Sequence, residues 1–263
     1  MSKKPLWIII TSWSILCVIA AVVWFLFGFN EQTRIYYYYY ASSLNLITAV
    51  ITAFFCYRNT QLFLARDPLR KAWKYLGIGT GFWSIGALLS LIYAIQKATP
   101  TPFPWYSDIG YLMFAPLAFL ALIALRMSLN VSVPFWALIS AFFVAMLVSS
   151  IFLFINVEGL KHIGIHAFMA TMGYVVVNPM LLATVITTAS VLKSRLICRP
   201  WWFALAGLSL FFIGDLLHLM FHNVGKPEND IFLDLVWPIS FGLITISATT
   251  TCTLSRKLTP NNS

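Results

Sequence analysis

The sequence predicts an all-α integral membrane protein of eight transmembrane helices, a parallel duplication of one four-helix unit, with the N- and C-termini both on the cytoplasmic side. Three observations carry this. Of the 263 residues, 60% are hydrophobic and only 10% are charged, against about 45–50% and about 25% in an ordinary soluble domain. The apolar residues gather into eight runs, each near the roughly 20 residues that one bilayer crossing requires. Finally, the chain resembles itself when shifted by 128 positions.

A chain so filled with spans leaves no room for a soluble kinase, cyclase, nucleotide-binding or DNA-binding domain. The net charge of +9 therefore reads as membrane topology and not as nucleic-acid affinity. The expected surroundings are the lipid bilayer and a membrane or cytoplasmic protein partner.

The elements follow in order. The first run, 7–29, comes after Lys3 and Lys4 as a signal peptide would. It is too long for one and lacks a small-x-small cleavage site, so it is expected to stay as a span. The second, 36–57, opens in the run Tyr36 to Tyr40 and stops at Arg58. The third, 75–96, follows the basic stretch Arg66, Arg70, Lys71 and Lys74; the fourth, 108–126, follows a proline-rich turn around Pro100, Pro102 and Pro104. The fifth, 134–155, begins at Pro134. The sixth, 164–192, is interrupted by Asn178 and Pro179, where the missing amide and the ring of proline kink a helix. A kink facing the seventh span would open a pocket beside Asp215, although helix packing explains it equally well. The seventh, 201–222, follows Arg199 and Pro200, and the eighth, 232–254, closes before Arg256 and Lys257.

With the N-terminus inside, the inner set of basic residues is Lys3, Lys4, Arg58, Arg66, Arg70, Lys71, Lys74, Arg126, Lys193, Arg195, Arg199, Arg256 and Lys257. Only Arg34, Lys97, Lys161 and Lys226 fall outside. This asymmetry satisfies the positive-inside rule at every loop pair except the fourth-to-fifth connection, which carries Arg126 alone; the expected location is the cytoplasmic (inner) cell membrane. Trp7, Trp73, Trp136, Trp201 and Trp202 fall at inner ends, and Tyr36 to Tyr40, Trp105, Tyr106 and Trp237 at outer ends, as interfacial anchors do. The tyrosine run reads as part of that belt, with a sugar or aromatic-ligand platform as the alternative. Cys17 lies in the first span and Cys56, Cys198 and Cys252 at inner ends, with no Cys-x-x-Cys; no structural disulfide is expected.

At the offset of 128, Trp73, Gly79, Ile85, Gly86, Leu88, Leu89 and Leu91 meet Trp201, Gly207, Ile213, Gly214, Leu216, Leu217 and Leu219. Leucine matches arise from composition alone; a Trp and two Gly matches do not. At an offset of 126, "SDIGY" (107–111) meets "LDLVW" (233–237), pairing Asp108 with Asp234 and Tyr111 with Trp237. The single membrane domain 1–263 thus divides into repeats 1–126 and 134–254. An even number of spans per unit makes the copies parallel, related by a pseudo-two-fold axis along the membrane normal. Gly79 and Gly86, like Gly207 and Gly214, recur at seven-residue spacing on one helical face, which permits close helix approach.

The segments "WKYLGIGTGFWSIGALL", "PFPWYSDIGYLMFAPLAFLAL", "NPMLLA", "RPWWFALAGLSLFFIGDLLH" and "DLVWPISFGLITISA" resemble the eight-span membrane regions found ahead of some bacterial diguanylate cyclases (GGDEF proteins) and histidine kinases. The resemblance covers the third, fourth, sixth, seventh and eighth spans. It implies a sensor-type region that receives a signal and passes it to a cytoplasmic output. This chain ends at Ser263 shortly after the last span and carries Ala87 where the first repeat would often have an acid like Asp215. A signalling role then implies an output partner in trans.

All four histidines fall on the predicted outer side: His162 and His166 opening the sixth span, His218 and His222 closing the seventh. Each pair is spaced i, i+4 and shares a helical face. Asp215 stands one turn before His218, with Asp108 and Asp234 at the start of the fourth and eighth spans. Two His-x-x-x-His pairs with a carboxylate are the donor set of a Zn²⁺ or Cu²⁺ site, or one histidine from each helix ligates a haem or other tetrapyrrole. A hydrated rim of helix-terminating polar groups accounts for the same residues. Asp215 differs from the rest. It lies 14 residues past Trp201, about 21 Å into the membrane at 1.5 Å per residue, where an unpaired carboxylate costs at least a few kcal/mol. His218 is its nearest candidate partner; a hydrogen bond to a neighbouring helix is the alternative.

The leading reading is a non-enzymatic sensory or regulatory module that binds a small ligand, lipid or ion on the outer side and acts through partners. A metal- or haem-binding redox protein, a metal-dependent lipid hydrolase and an accessory subunit of a larger membrane complex are the alternatives. No nucleotide-binding loop, Ser-His-Asp order or voltage-sensor helix is present.

Overall fold

The computed structural model describes residues 4–30, 32–160, 164–192, 199–224 and 234–258. Among these are eight α-helices and no strand: α1 (Lys4–Phe27), α2 (Arg34–Thr60), α3 (Pro68–Lys97), α4 (Tyr106–Leu129), α5 (Phe135–Leu160), α6 (Ile165–Val191), α7 (Arg199–Val224) and α8 (Val236–Leu258). Each helix takes up one of the eight apolar runs. Seven of them, α1 to α7, are long and apolar enough to cross a membrane. The protein is accordingly a multi-pass membrane protein.

The helix ends have local causes. Asp67 caps α3, its Oδ1 accepting the Leu69 amide at 2.8 Å, with Pro68 at the first helical position, where a missing amide hydrogen costs nothing. This cap starts α3 seven residues ahead of its apolar run. The far end of α3 turns at Ala98 and that of α4 at Asn130, both left-handed, with φ of 52° and 48°. At the start of α4 the Asp108 carboxylate reaches back to the Trp105 amide, Oδ2 accepting at 2.7 Å, the acidic half of a capping box.

α8 is less apolar than its neighbours because it faces protein. Ser240, Thr245, Ser247, Thr249 and Thr251 are all buried. Thr249 and Thr251 return their hydroxyls to the carbonyls of Thr245 and Ser247, which satisfies them without water. Others tie helices together: Thr245 Oγ1 lies 2.9 Å from Thr52 Oγ1 on α2, Asn59 of α2 donates to the Ala248 carbonyl at 2.9 Å, and Trp13 of α1 donates to the Pro238 carbonyl at 2.8 Å. By contrast α1 and α5 present Trp7, Phe25, Phe135, Phe142 and Phe154 outward, each at least 61% exposed. Such apolar faces fit a lipid bilayer and not water.

The core is where the pair α3 with α4 meets the pair α7 with α8. A Cβ on Gly79 would lie against Phe114 and Leu117, and one on Gly207 against Ser240 and Leu243; one on Gly86 would meet Tyr111, and one on Gly214 would meet Trp237. These contacts correspond pair by pair at the offsets of 128 and 126. Trp73 and Trp201 stack on each other, ring centroids 4.5 Å apart, and are buried. Their expected place at the interface is therefore corrected: only Trp7, Trp136 and Trp202 of the inner set are exposed, because residues 73 and 201 lie on the faces turned toward each other.

The tyrosine run is corrected in the same way. Tyr36 is exposed, but Tyr37 is buried, the Tyr39 hydroxyl donates to the Ala94 carbonyl and that of Tyr40 to the Leu16 carbonyl. Five consecutive residues on a helix turn through more than a full circle, so the run cannot form a one-sided belt.

Candidate functional site

A cavity of about 620 Å³ opens at the end of the bundle where α2, α4 and α8 start and α3 and α7 end. Four layers of sequence build it. Tyr38, Ser42 and Asn45 descend one face of α2 at spacings of four and three, the helical repeat. Trp83, Ala87 and Ser90 do the same on α3. The α3–α4 connection, residues 98–103, lies over the cavity. It is pinned by a triangle of hydroxyls: Thr101 Oγ1 is 2.8 Å from Tyr38 Oη and 2.7 Å from Ser90 Oγ, and Tyr38 Oη is 3.1 Å from Ser90 Oγ. The remaining wall comes from Ser107, Asp108 and Tyr111 of α4, Tyr174 of α6, Asp215 and His218 of α7, Asp234, and Trp237 of α8.

The floor is aromatic. Trp83 lies 5.0 Å from Tyr111, 6.3 Å from Trp237 and 4.8 Å from Phe241 in ring centroids. Below it Phe114 and Phe211 pack at 4.3 Å. These rings belong to the buried core of the bundle.

Three carboxylates reach this one space: Asp108, Asp215 and Asp234. Asp215, 7% exposed, is held from two helices. Its Oδ1 accepts from Trp237 Nε1 at 2.9 Å and its Oδ2 from Asn178 Nδ2 at 3.1 Å. Both donors are neutral, so they ease the burial of the carboxylate without cancelling its charge. Asp108 is arranged similarly, Oδ1 accepting from the Tyr174 hydroxyl at 3.2 Å and Oδ2 from the Trp105 amide. Arg34 is the one Lys or Arg among the lining residues.

The sequence-predicted site residues separate into three groups. Asp215, His218, Asp108 and Asp234 converge on the cavity. His218 packs edge-on to Trp237, centroids 5.5 Å apart. His166 sits exposed on the first turn of α6 and is not part of the cavity wall. His162 lies outside the described residues, as does the side chain of His222 on the last turns of α7. Among the described residues no three His, Cys, Asp or Glu side chains come close enough to hold a metal ion. The hydrogen-bonding partners of Asp215 are Trp237 and Asn178, on two neighbouring helices, where the sequence put His218 first.

Pro179 is not among the residues lining this cavity; it borders a separate gap of about 10 Å³, together with Asn178, Phe152 and Phe212. It is Asn178, one residue earlier, that matters, through its amide on Asp215. Sequence reasoning also missed Asn45, Trp83, Ser90 and Tyr174, and had Tyr38 only as part of the tyrosine run offered as an alternative ligand platform. The signal was present for α2, where Tyr38, Ser42 and Asn45 form a polar stripe at helical spacing within an apolar run.

Comparison with protein-family models, with curated proteins and with solved structures finds no match to this chain.

Proposed function

We propose that the protein is a sensory or regulatory membrane module that binds a small ligand from the outer side of the cytoplasmic membrane and acts through a protein partner. The observation that carries the reading is the cavity itself. Its 620 Å³ falls within the roughly 300–1,000 Å³ of small-molecule sites, and its mixture of aromatic walls and a few convergent polar groups is what such sites use. The aromatic cluster of Trp83, Phe114, Phe211 and Phe241 packs beside the cavity, which favours a binding site over a transport path. The resemblance of five of the spans to the sensor-type regions of diguanylate cyclases and histidine kinases points the same way.

The arrangement in the membrane belongs to this reading. α8 is the eighth span, both ends of the chain are cytoplasmic, and residues 1–126 and 134–254 are parallel copies. Support for the duplication comes from the matched glycine contacts, from the stack of Trp73 on its equivalent Trp201, and from the reciprocal packing of α2 on α8 and of α6 on α4. Residues that a two-fold axis relates touch each other only where they lie on it.

The test has two parts. In a background without cysteine, Thr99→Cys should react with a membrane-impermeant maleimide in intact cells; reaction only after lysis would place the cavity on the wrong side. Quantitative cross-linking in the native membrane should then find a partner whose recovery changes with Asp215→Asn. Identical partner sets would remove the signalling part of the reading.

A further inference from the structure

Resting on that reading, we propose that the cavity takes a small organic cation, a primary or secondary ammonium carrying an aromatic or similarly flat apolar group. The charge is the first ground. Three carboxylates and one guanidinium line the space, and the two carboxylates whose contacts are described, Asp108 and Asp215, are held by neutral donors alone. In a site partly screened from water this leaves a field that attracts cations and repels anions.

The second ground is independent of charge. Asn45, 7% exposed, lines the cavity, and its Oδ1 is buried with no hydrogen-bond partner among the described residues. A buried amide oxygen left unpaired costs free energy, and it calls for a donor. Carboxylates and an amide oxygen together specify a ligand rich in N–H groups, which an ammonium supplies and a quaternary amine does not.

The third ground is the aromatic wall. Trp83, Tyr111 and Trp237 stand with centroids 5.0 and 6.3 Å apart about one corner, and Phe103 with Tyr174 at 6.3 Å lies on another side. Indole and phenol faces attract a cation within about 6 Å and stack on a flat apolar group. Inorganic cations would satisfy the carboxylates but would leave these faces and much of the volume unused.

The experiment uses the full chain in lipid nanodiscs and four probes: phenethylammonium, benzyltrimethylammonium, the neutral 3-phenylpropan-1-ol and the anion phenylacetate. Binding is read by tryptophan fluorescence and by calorimetry. Phenethylammonium should bind saturably and at least tenfold more tightly than the alcohol, with phenylacetate weaker still. Asp108→Asn and Asp234→Asn should each weaken it at least tenfold, and Asn45→Leu should weaken phenethylammonium more than benzyltrimethylammonium. An alcohol that binds within tenfold of the ammonium overturns the cationic ligand but leaves a ligand-binding cavity standing. Absence of binding by all four at about 1 mM, the weak end of specific affinities, overturns both. The probe comparison is made on the unaltered protein, so a misfolded variant cannot hide the answer.

Discussion

Replacing Gly86 by alanine tests the packing on which the cavity stands. A Cβ there would lie 2.6 Å from the Ser107 carbonyl oxygen and 2.9 Å from Tyr111 Cδ1. The opposing Gly110 is just as tight, its own Cβ falling 2.6 Å from the Phe82 carbonyl oxygen. A backbone carbonyl cannot rotate aside as a side chain does, so α3 and α4 must separate. The steric cost is then about 3 kcal/mol, the upper end for overpacking, offset by about 1 kcal/mol from the helix preference of alanine over glycine. A net loss of about 2 kcal/mol follows. Gly81 is the control: a Cβ there meets nothing within 4 Å, so alanine should stabilise by about 0.5–1 kcal/mol. Gly214 should lie between the two, because its nearest neighbour is a valine methyl at 2.9 Å, which can turn away. Reversible unfolding in mixed detergent micelles, followed by tryptophan fluorescence, measures all three. Equal stabilities for the Gly86 and Gly81 variants would refute the close-approach argument.

Trp237→Phe removes the Nε1 donor from Asp215 and should destabilise by about 1–3 kcal/mol; the same unfolding titration checks it, and adding Asp215→Leu should recover part of the loss. The stack of Trp73 on Trp201 should give a coupling of about 0.5–1.5 kcal/mol in a double-mutant cycle with alanine. Reporter fusions at Gln61 and Asn130 should read cytoplasmic and one at Thr99 external; an external Gln61 would sink the orientation.

The number of apolar runs was legible because bilayer-length runs and punctuation are local signals, but not every limit was, since the Asp67 cap starts α3 seven residues ahead of its run. α8 is the exception, its hydroxyl-rich face depending on which neighbours cover it. The Gly and Trp matches were equally legible, being rare residues at a fixed offset. What the sequence could not place was direction. A tryptophan near a helix end reads the same whether it is exposed, as Trp202 is, or packed on another tryptophan, as Trp201 is. The site divided along that line too. Asp108, Asp215, Asp234 and His218 stood out as polar groups in apolar surroundings and do share one cavity, whereas His166, chosen on spacing and outer position, is exposed and does not line it.

On the proposed duplication, the two halves line the cavity asymmetrically. At the offsets of 128 and 126, Ala87 corresponds to Asp215, Ser90 to His218 and Tyr111 to Trp237, and all six line the same space. A strictly repeated site would set a carboxylate at both 87 and 215, two like charges sharing a partly dry volume, which is costly. Alanine at 87 avoids that and leaves room, while tryptophan at 237 supplies the indole N–H that Asp215 needs and tyrosine at 111 presents a phenol ring to Trp83. On that reading the second half places Asp215 in the wall and the first half has the small Ala87 at the matching position. Asp108 and Asp234, which match at the offset of 126, both line the cavity. Ala87→Asp would restore the symmetric charge, and it should weaken folding by leaving a second buried carboxylate without the donor that Trp237 gives the first. If Ala87→Asp is tolerated only together with Tyr111→Trp, the two halves share one geometry and differ only in side chains; if the pair is no better than Ala87→Asp alone, the equivalence of the two walls is wrong.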